Sequence, residues 1–415
     1  MGLSYNEDQF RSHSPISFVM MDESPALVKD YDLTLTTRGE SSSCKITMLL
    51  DHIDSKVFTD TKNKDAHVGI VIYSGYLIDT EDREKQISEF MQLLNSGKAQ
   101  NQNRFVKRFE GFIAQPEWTF GMERLLNVVC FDWGQTLKEY KWDSNMKDGD
   151  CEVKTIIAKV QSKLTGIKIV ADSYPGSLKL GEKDETSKKF SYGSSGKTYY
   201  EILEECAKRM GKNVIVKGKE IFITGYKGQP VSWTMYYGSK DSPVDKSLSS
   251  AIPFETLTLR YGEVGETQKS GTVVDLTSRT TSKKGKASLT KVRYPENSSV
   301  TSLTNHIVRI IKNNLSDSEL KVLAENIYKK ESKKMMTGNC DMSFANPFMD
   351  LMDIVTFVAD ETNPDLAYMN GVNFSINSIT ETYSVEGYKQ KIDFDSTDEV
   401  RGTTQDRKAP GPVKK

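Results

Sequence analysis

Apolar and polar positions alternate along residues 112–120: Phe112, Ala114, Trp118 and Phe120 fall on one side, and Gln115, Glu117 and Thr119 on the other. A period of two predicts a half-buried β-strand. A second apolar-rich run follows in Leu126, Val128, Phe131 and Trp133, and the two together predict a β-hairpin or meander. The pattern recurs near the C-terminus. Gly371 opens a run with Val372, Phe374 and Ile376 on one face and Asn373, Ser375 and Asn377 on the other, and a return strand ends in Ile392, Asp393, Phe394 and Asp395. Both units begin with a glycine and return to a Phe-Asp pair, Phe131-Asp132 in one and Phe394-Asp395 in the other. This predicts a duplicated β-unit and two related β-domains in one chain.

The rest of the chain fits around that pair. Ile16 to Met20, Tyr31 to Thr36 and Ser43 to Leu50 are short strand-like runs, and Val68 to Leu77 is the continuously apolar strand expected when both faces are covered. Thr80 to Asn95 changes period: acids in its first turns and Ile87, Phe90, Met91 and Leu94 at helical spacing predict a helix inserted between strands. Residues 148–228 mix α and β, with a helix over Thr198 to Met210 closed by Gly211 and two strands at Val214 to Val216 and Ile221 to Thr224. Beyond 229 the β-patterns return at Val231 to Tyr237 and Glu255 to Tyr261. Gly262 to Val300, dense in Ser, Thr, Gly and Lys with a weak alternation at Val273, Val274 and Leu276, is expected to be a loose excursion with marginal strands or a mobile loop, and Leu303 to Lys334 to hold one or two helices with Ser316 as an N-cap. Asn339 to Phe344 resembles Ser43 to Met48 in type and in placing a cysteine early. The expected division is 1–147, a β-domain with an inserted helix at 80–95; 148–228, a small α/β domain; 229–396, a second β-domain with the excursion 262–300 and a helical insert 303–334; and 397–415, a disordered tail. The fold class is α+β, mainly β.

Composition narrows the function. The chain has 415 residues, 37% hydrophobic and 27% charged, with a net charge of −1. That describes a soluble protein without the basic bias that nucleic acid selects. No run approaches the roughly 18 apolar residues of a membrane span, and the charged N-terminus is unlike a signal peptide. Cys44, Cys130, Cys151, Cys206 and Cys340 are scattered singly, which argues against structural zinc. Four features invite a catalytic or binding reading; three fail on spacing and the fourth on context. Gly193 to Thr198, GSSGKT, ends like a phosphate-binding loop but is too short to wrap backbone N–H groups around phosphates. Asp143 to Asp150 is like a calcium loop, yet Lys147 occupies a ligand position and Gly149 comes one place late. His13, His52, His67 and His306 share no metal-binding spacing. Asp79, Glu81, Asp350 and Asp353 are numerous enough for a carboxylate pair but match a solvated surface. No catalytic, cofactor-binding or metal-binding residue is therefore expected. Phe112, Trp118, Phe131 and Trp133 are expected to fill a barrel core, the alternative being a surface that stacks on sugar.

Taken together, GFIAQPEWTF with NVVCFDW, the helix-and-two-strands segment TYYEILEECAKRMGKNVIVKGKEIFI, and NPFMDLMDIVTFV followed by GVNFSINSITETYS resemble the baseplate or tail hub proteins of contractile-tailed phages and related contractile injection particles. The resemblance covers roughly Ser14 to Ser396 and is one of architecture. It implies two β-barrels similar to the tail tube protein with a small α/β domain between them. It also implies a homotrimer forming a pseudo-sixfold ring, the tail tube protein on one face and the spike protein on the other, and contacts with other baseplate proteins. It implies no enzyme activity, no cofactor, no specific nucleic-acid binding and no membrane anchor, with synthesis in the bacterial cytoplasm and assembly into a tail. Two other readings stay open: a cell-wall-binding or cell-wall-degrading tail component, and a nucleotide-dependent protein resting on GSSGKT.

Overall fold

A computed structural model describes residues 13–21, 24–37, 41–49, 68–78, 81–96, 105–183, 189–225, 233–237, 252–261, 271–281, 287–301, 304–311, 315–331, 336–342, 345–358 and 372–397. The first six strands are β1 (His13–Met21), β2 (Ser24–Thr36), β3 (Ser43–Leu49), β4 (Gly69–Ile78), β5 (Phe105–Phe120) and β6 (Arg124–Asp132). They pair in the order β1-β4-β5-β6-β3-β2, and pairing of β1 with β2 closes the ring into a barrel. Alternation directs the residues: along β6, Leu126, Val128, Cys130 and Asp132 are buried, while the residues between them are partly exposed.

Between β4 and β5 lies helix α1 (Arg83–Asn95). Its N-cap is Asp82, whose carboxylate accepts from the Lys85 N–H at 3.0 Å. Phe90 and Leu94 pack with Ile16, Phe18, Tyr73, Leu77 and Phe105 in a cluster of their own. Ile70 and Ile72 of β4 belong instead to the barrel core, so β4 is covered on both sides and reads as continuously apolar.

The middle of the chain contributes α2 (Thr136–Glu139), β7 (Met146–Lys147), α3 (Val153–Gln161), β8 (Lys168–Ala171), β9 (Glu182–Lys183), β10 (Phe190–Tyr192), α4 (Tyr199–Met210), β11 (Asn213–Lys217) and β12 (Glu220–Thr224). Two small sheets form, β7-β10-β9 and β11-β12-β8. Thr198 and Glu201 cap α4 reciprocally, and Gly211 ends it at φ 69°. A side chain at Gly211 would meet the Asn326 backbone at 2.7 Å, so the glycine also permits a close approach to a later helix.

The chain then makes β13 (Trp233–Tyr237), β14 (Ile252–Tyr261), β15 (Gly271–Thr281), β16 (Ala287–Tyr294), β17 (Thr304–Ile311), α5 (Asp317–Glu331), β18 (Met336–Met342), β19 (Ile354–Val358), β20 (Asn373–Ser384) and β21 (Gly387–Ser396). Six of these, in the order β13-β19-β20-β21-β18-β14, close a second barrel. The excursion contains β15 and β16, the strand alternative of the two expected for it. One expectation is corrected here: Thr304–Ile311, expected to be helical, is strand β17, whose Ile-Val-Arg-Ile-Ile run is rich in β-branched residues and pairs in parallel with β15. With α5, these strands share one core with the middle region, in which Leu276, Leu320 and Leu323 pack with Ile156, Leu203 and Cys206. The middle region is thus not separate from the excursion.

Numbered by chain order within each barrel, both rings run first-fourth-fifth-sixth-third-second. Two irregularities in each barrel agree as well; a third, at Arg108 between β4 and β5, has no counterpart among the described residues of β19 and β20. Register shifts fall between Val28 and Asp30 and between Ile113 and Gln115 in the first barrel, and between Phe254 and Thr256 and between Ile376 and Ser378 in the second. Ile113 N–H donates to the Val68 carbonyl just ahead of the fourth strand, and Ile376 N–H donates to Asp353 just ahead of its counterpart, both at 3.0 Å. Matching bulges and bonds fix the correspondence: Lys29 with Glu255, Ala114 with Asn377, Cys130 with Phe394. The Phe-Asp correspondence is therefore one residue out of register. Phe131 matches Asp395, and Phe394 is buried in the core whereas Phe131 points to the opposite face, as a one-residue slip requires. The counterpart of Gly111 is Phe374; Gly371 lies outside the described residues. The first strands differ, since β1 runs antiparallel to its neighbours and β13 parallel. Helices α1 and α5 are not counterparts either: one joins the fourth strand to the fifth, the other follows the excursion between the second and third.

Candidate assembly surface

The two barrels are joined by an antiparallel ladder between β2 and β20, running from Tyr31 opposite Tyr383 to Thr36 opposite Ser378. Each strand divides its work. Ser24 to Leu27 of β2 pair with β1 and close the first barrel, while Tyr31 to Thr36 pair with β20. Asn373 to Ser375 of β20 pair with β19, while Ser378 to Tyr383 pair with β2. One continuous hydrophobic core, from Val19 through Tyr31 and Leu33 to Phe374 and Phe394, spans both barrels.

Within this junction sits a buried charged network. Arg108 of β5 forms an ion pair with Glu381 of β20; the side chains are 3% and 0% exposed. Arg108 Nη1 donates to the carbonyls of Pro347 at 2.7 Å and Met349 at 2.6 Å. The Tyr388 hydroxyl donates to Glu381 at 2.6 Å and Gln390 Nε2 at 2.9 Å. Burial works against the guanidinium charge, but Glu381 beside it more than compensates and holds the Arg108 pKa above its ordinary value. Burial also pushes the Tyr31, Tyr76 and Tyr388 phenols well above their usual range. Tyr31 stacks on Tyr383 with centroids 5.5 Å apart. The signal in the sequence was Glu381 itself, a charge in the inward phase of an alternating strand.

The counterparts of β2 and β20 in the other barrel are β14 and β5, and there the same edges carry no further strand among the described residues. β14 pairs with β13 only over Ile252 to Phe254, and β5 with β4 only up to Phe112. The tip of β5 runs past its own barrel: residues 115–120 are all exposed, Trp118 at 43% and Phe120 at 70%. This corrects the expectation that Trp118 fills a barrel core. Phe112 is buried, but against Trp133 on the outer face, with ring centroids 5.4 Å apart.

The sequence motifs resolve into structural roles. Lys197 of GSSGKT pairs with Glu205 at 2.5 Å and with the Tyr192 hydroxyl at 2.9 Å, and Thr198 caps α4. The loop's Gly196 and Ser195 N–H groups donate to Trp142 O and Asn145 Oδ1. Asp148 and Glu152 both lie near Lys179, at 3.6 and 3.5 Å. Asp350 pairs with Lys217 at 2.6 Å, and Asp353 accepts from Trp233 Nε1 at 2.8 Å. Asp79, His52 and His67 lie outside the described residues. His306 meets Asp275 at 2.7 Å, and Arg293 and His306 hold that carboxyl down to about 2. All five cysteines are buried free thiols. Among the described residues no cluster of three or more His, Cys, Asp or Glu side chains is placed to hold a metal, and no helix is long and apolar enough to cross a membrane.

No family model and no curated protein matches the sequence. Solved structures do. The tail protein from Neisseria meningitidis MC58 aligns over 93% of this chain and 98% of its own, at 12% identity and a TM-score of 0.54. The 43 kDa tail protein of prophage MuSo2 from Shewanella oneidensis aligns over 94% and 99%, at 11% identity and a TM-score of 0.52. This chain has the fold of those tail proteins. A type VI secretion component of E. coli, described as similar to the T4 tail proteins gp27 and gp5, aligns over 92% of this chain and 78% of its own at 8% identity, with a TM-score of 0.49.

Proposed function

We propose that the protein is a structural hub of a phage-type tail: a homotrimer whose six barrels form a pseudo-sixfold ring between the tail tube and the central spike. The observation that carries this reading is the duplicated barrel, matched in ring order and bulge positions, because a chain with two equivalent units adapts a threefold assembly to a sixfold one. The tail-protein fold supports it. The work done is symmetry matching and load transfer, with no reaction catalysed. The chain is made in the bacterial cytoplasm and joins other baseplate proteins in the tail. The test is the mass of the protein, alone and co-expressed with its tube and spike partners. A trimer with a ring-shaped image supports the reading, and a monomer under all these conditions refutes it.

A second reading draws on the exposed Trp118 and Phe120, which satisfy one requirement of a wall-binding surface. It predicts that purified cell wall pulls down the protein and that Trp118→Ala abolishes this. The position of both rings on a strand edge whose counterpart is already a protein contact favours the hub.

A further inference from the structure

We propose that β14 of one copy adds to the tip of β5 in a second copy, repeating between chains the ladder that β2 and β20 make within one. The inference rests on the ring reading above and assigns its interface. Within the chain, the second strand of barrel one meets the fifth strand of barrel two. The same contact made outward joins the second strand of barrel two to the fifth strand of barrel one in the next copy. These are the two strands whose corresponding edges, at residues 255–261 and 115–120, carry no further strand among the described residues. Such edges invite strand addition. The contact is head-to-tail, so it propagates around a ring.

The internal register carries over through the matched bulges. Tyr31 opposite Tyr383 becomes Leu257 opposite Phe120, and Leu33 opposite Glu381 becomes Leu259 opposite Trp118. Leu257 and Leu259 are half-buried at the margin of the core, and the exposed Trp118 and Phe120 would extend it, as Tyr31 and Tyr383 do inside the chain. On the other face, Asp32 opposite Thr382, bonded at 3.1 Å, becomes Thr258 opposite Thr119. Thr34 opposite Thr380 becomes Arg260 opposite Glu117, and both charged residues are exposed. Two apolar pairs, a Thr–Thr pair and an opposite-charge pair are the cross-strand combinations that stabilise a ladder. A slip of one residue would set Leu259 against Glu117 or Thr119 and lose every match.

The test uses the full chain carrying Thr119→Cys and Thr258→Cys, oxidised mildly, against a background of buried native thiols. The expected result is a covalent ladder ending at the closed trimer, with only dimers from an equimolar mixture of the two single variants. In parallel, Arg260→Glu or Glu117→Arg alone weakens self-association about five-fold, and the two together restore it. A trimer that forms but neither cross-links nor responds to the charge reversals overturns this interface while leaving the hub reading intact. A protein that is monomeric even with tube and spike partners overturns both. An unchanged melting temperature in each variant shows that folding is not the cause.

Discussion

The fifth strands of the two barrels hold the same place in matching rings, yet one tip carries a further strand and the other, among the described residues, does not. At matched positions β20 has Glu381, fully buried against Arg108, and Tyr383, stacked on Tyr31; β5 has Trp118 and Phe120, both exposed. An exposed apolar residue on its own needs no explanation. Here the sister strand shows what the position does when covered, and the exposure of Trp118 and Phe120 at the matched places is what the proposed contact uses.

The comparison can be broken most directly at Glu381. Glu381→Ala leaves Arg108 buried without its partner and should cost about 3–5 kcal/mol in denaturant unfolding, whereas Trp118→Ala at the matched position should stay within about 0.5 kcal/mol for the isolated protein. Next in size is a pH effect at a buried carboxyl of the first barrel that its matched position in the second lacks. Asp132, matched by Ser396 in the second, accepts from the Ser42 and Gly134 N–H groups at 2.7 and 3.0 Å, but burial still pushes its carboxyl up to about 6. A raised folded-state value means stability that is present below about pH 4 and lost as pH rises through 6, on the order of 3 kcal/mol. Asp132→Asn should flatten the melting temperature over that window, while Ser396→Ala should leave its slope unchanged. The smallest contrast is aromatic: Tyr383→Ala should cost about 1 kcal/mol through loss of the Tyr31 stack, and Phe120→Ala almost nothing until copies assemble.

The duplication was legible because some alternation survives in both hairpins; the likeness of Ser43 to Met48 with Asn339 to Phe344 found the third strand of each barrel but two residues out of register, since Cys44 matches Gly338 and residues 343–344 lie outside the described residues. The caps at Thr198 and Ser316 were legible too, since a Glu three residues on completes each; Glu319 accepts from Ser316 N–H at 2.8 Å. Register was not. Phe131 and Phe394 look alike in sequence, but bulges at Ala114 and Asn377 set the phase: each inserts one residue and inverts the alternation beyond it, so Phe112 and Trp118, expected on one side, lie on opposite faces. Strand β17 was hidden by its place before a capped helix, and Trp118 by the fact that alternation reports which face a residue takes, not whether its own barrel reaches that far.

The central claim is that the two barrels are equivalent units of one ring. A three-dimensional electron-microscope reconstruction of the assembled protein tests it by superposing neighbouring barrels. The account predicts that a rotation of about 60° about the axis carries each barrel onto the next, within and between chains alike. Barrels at different radii or heights would contradict it; barrels so related but with β14 and the β5 tip apart would contradict only the proposed interface.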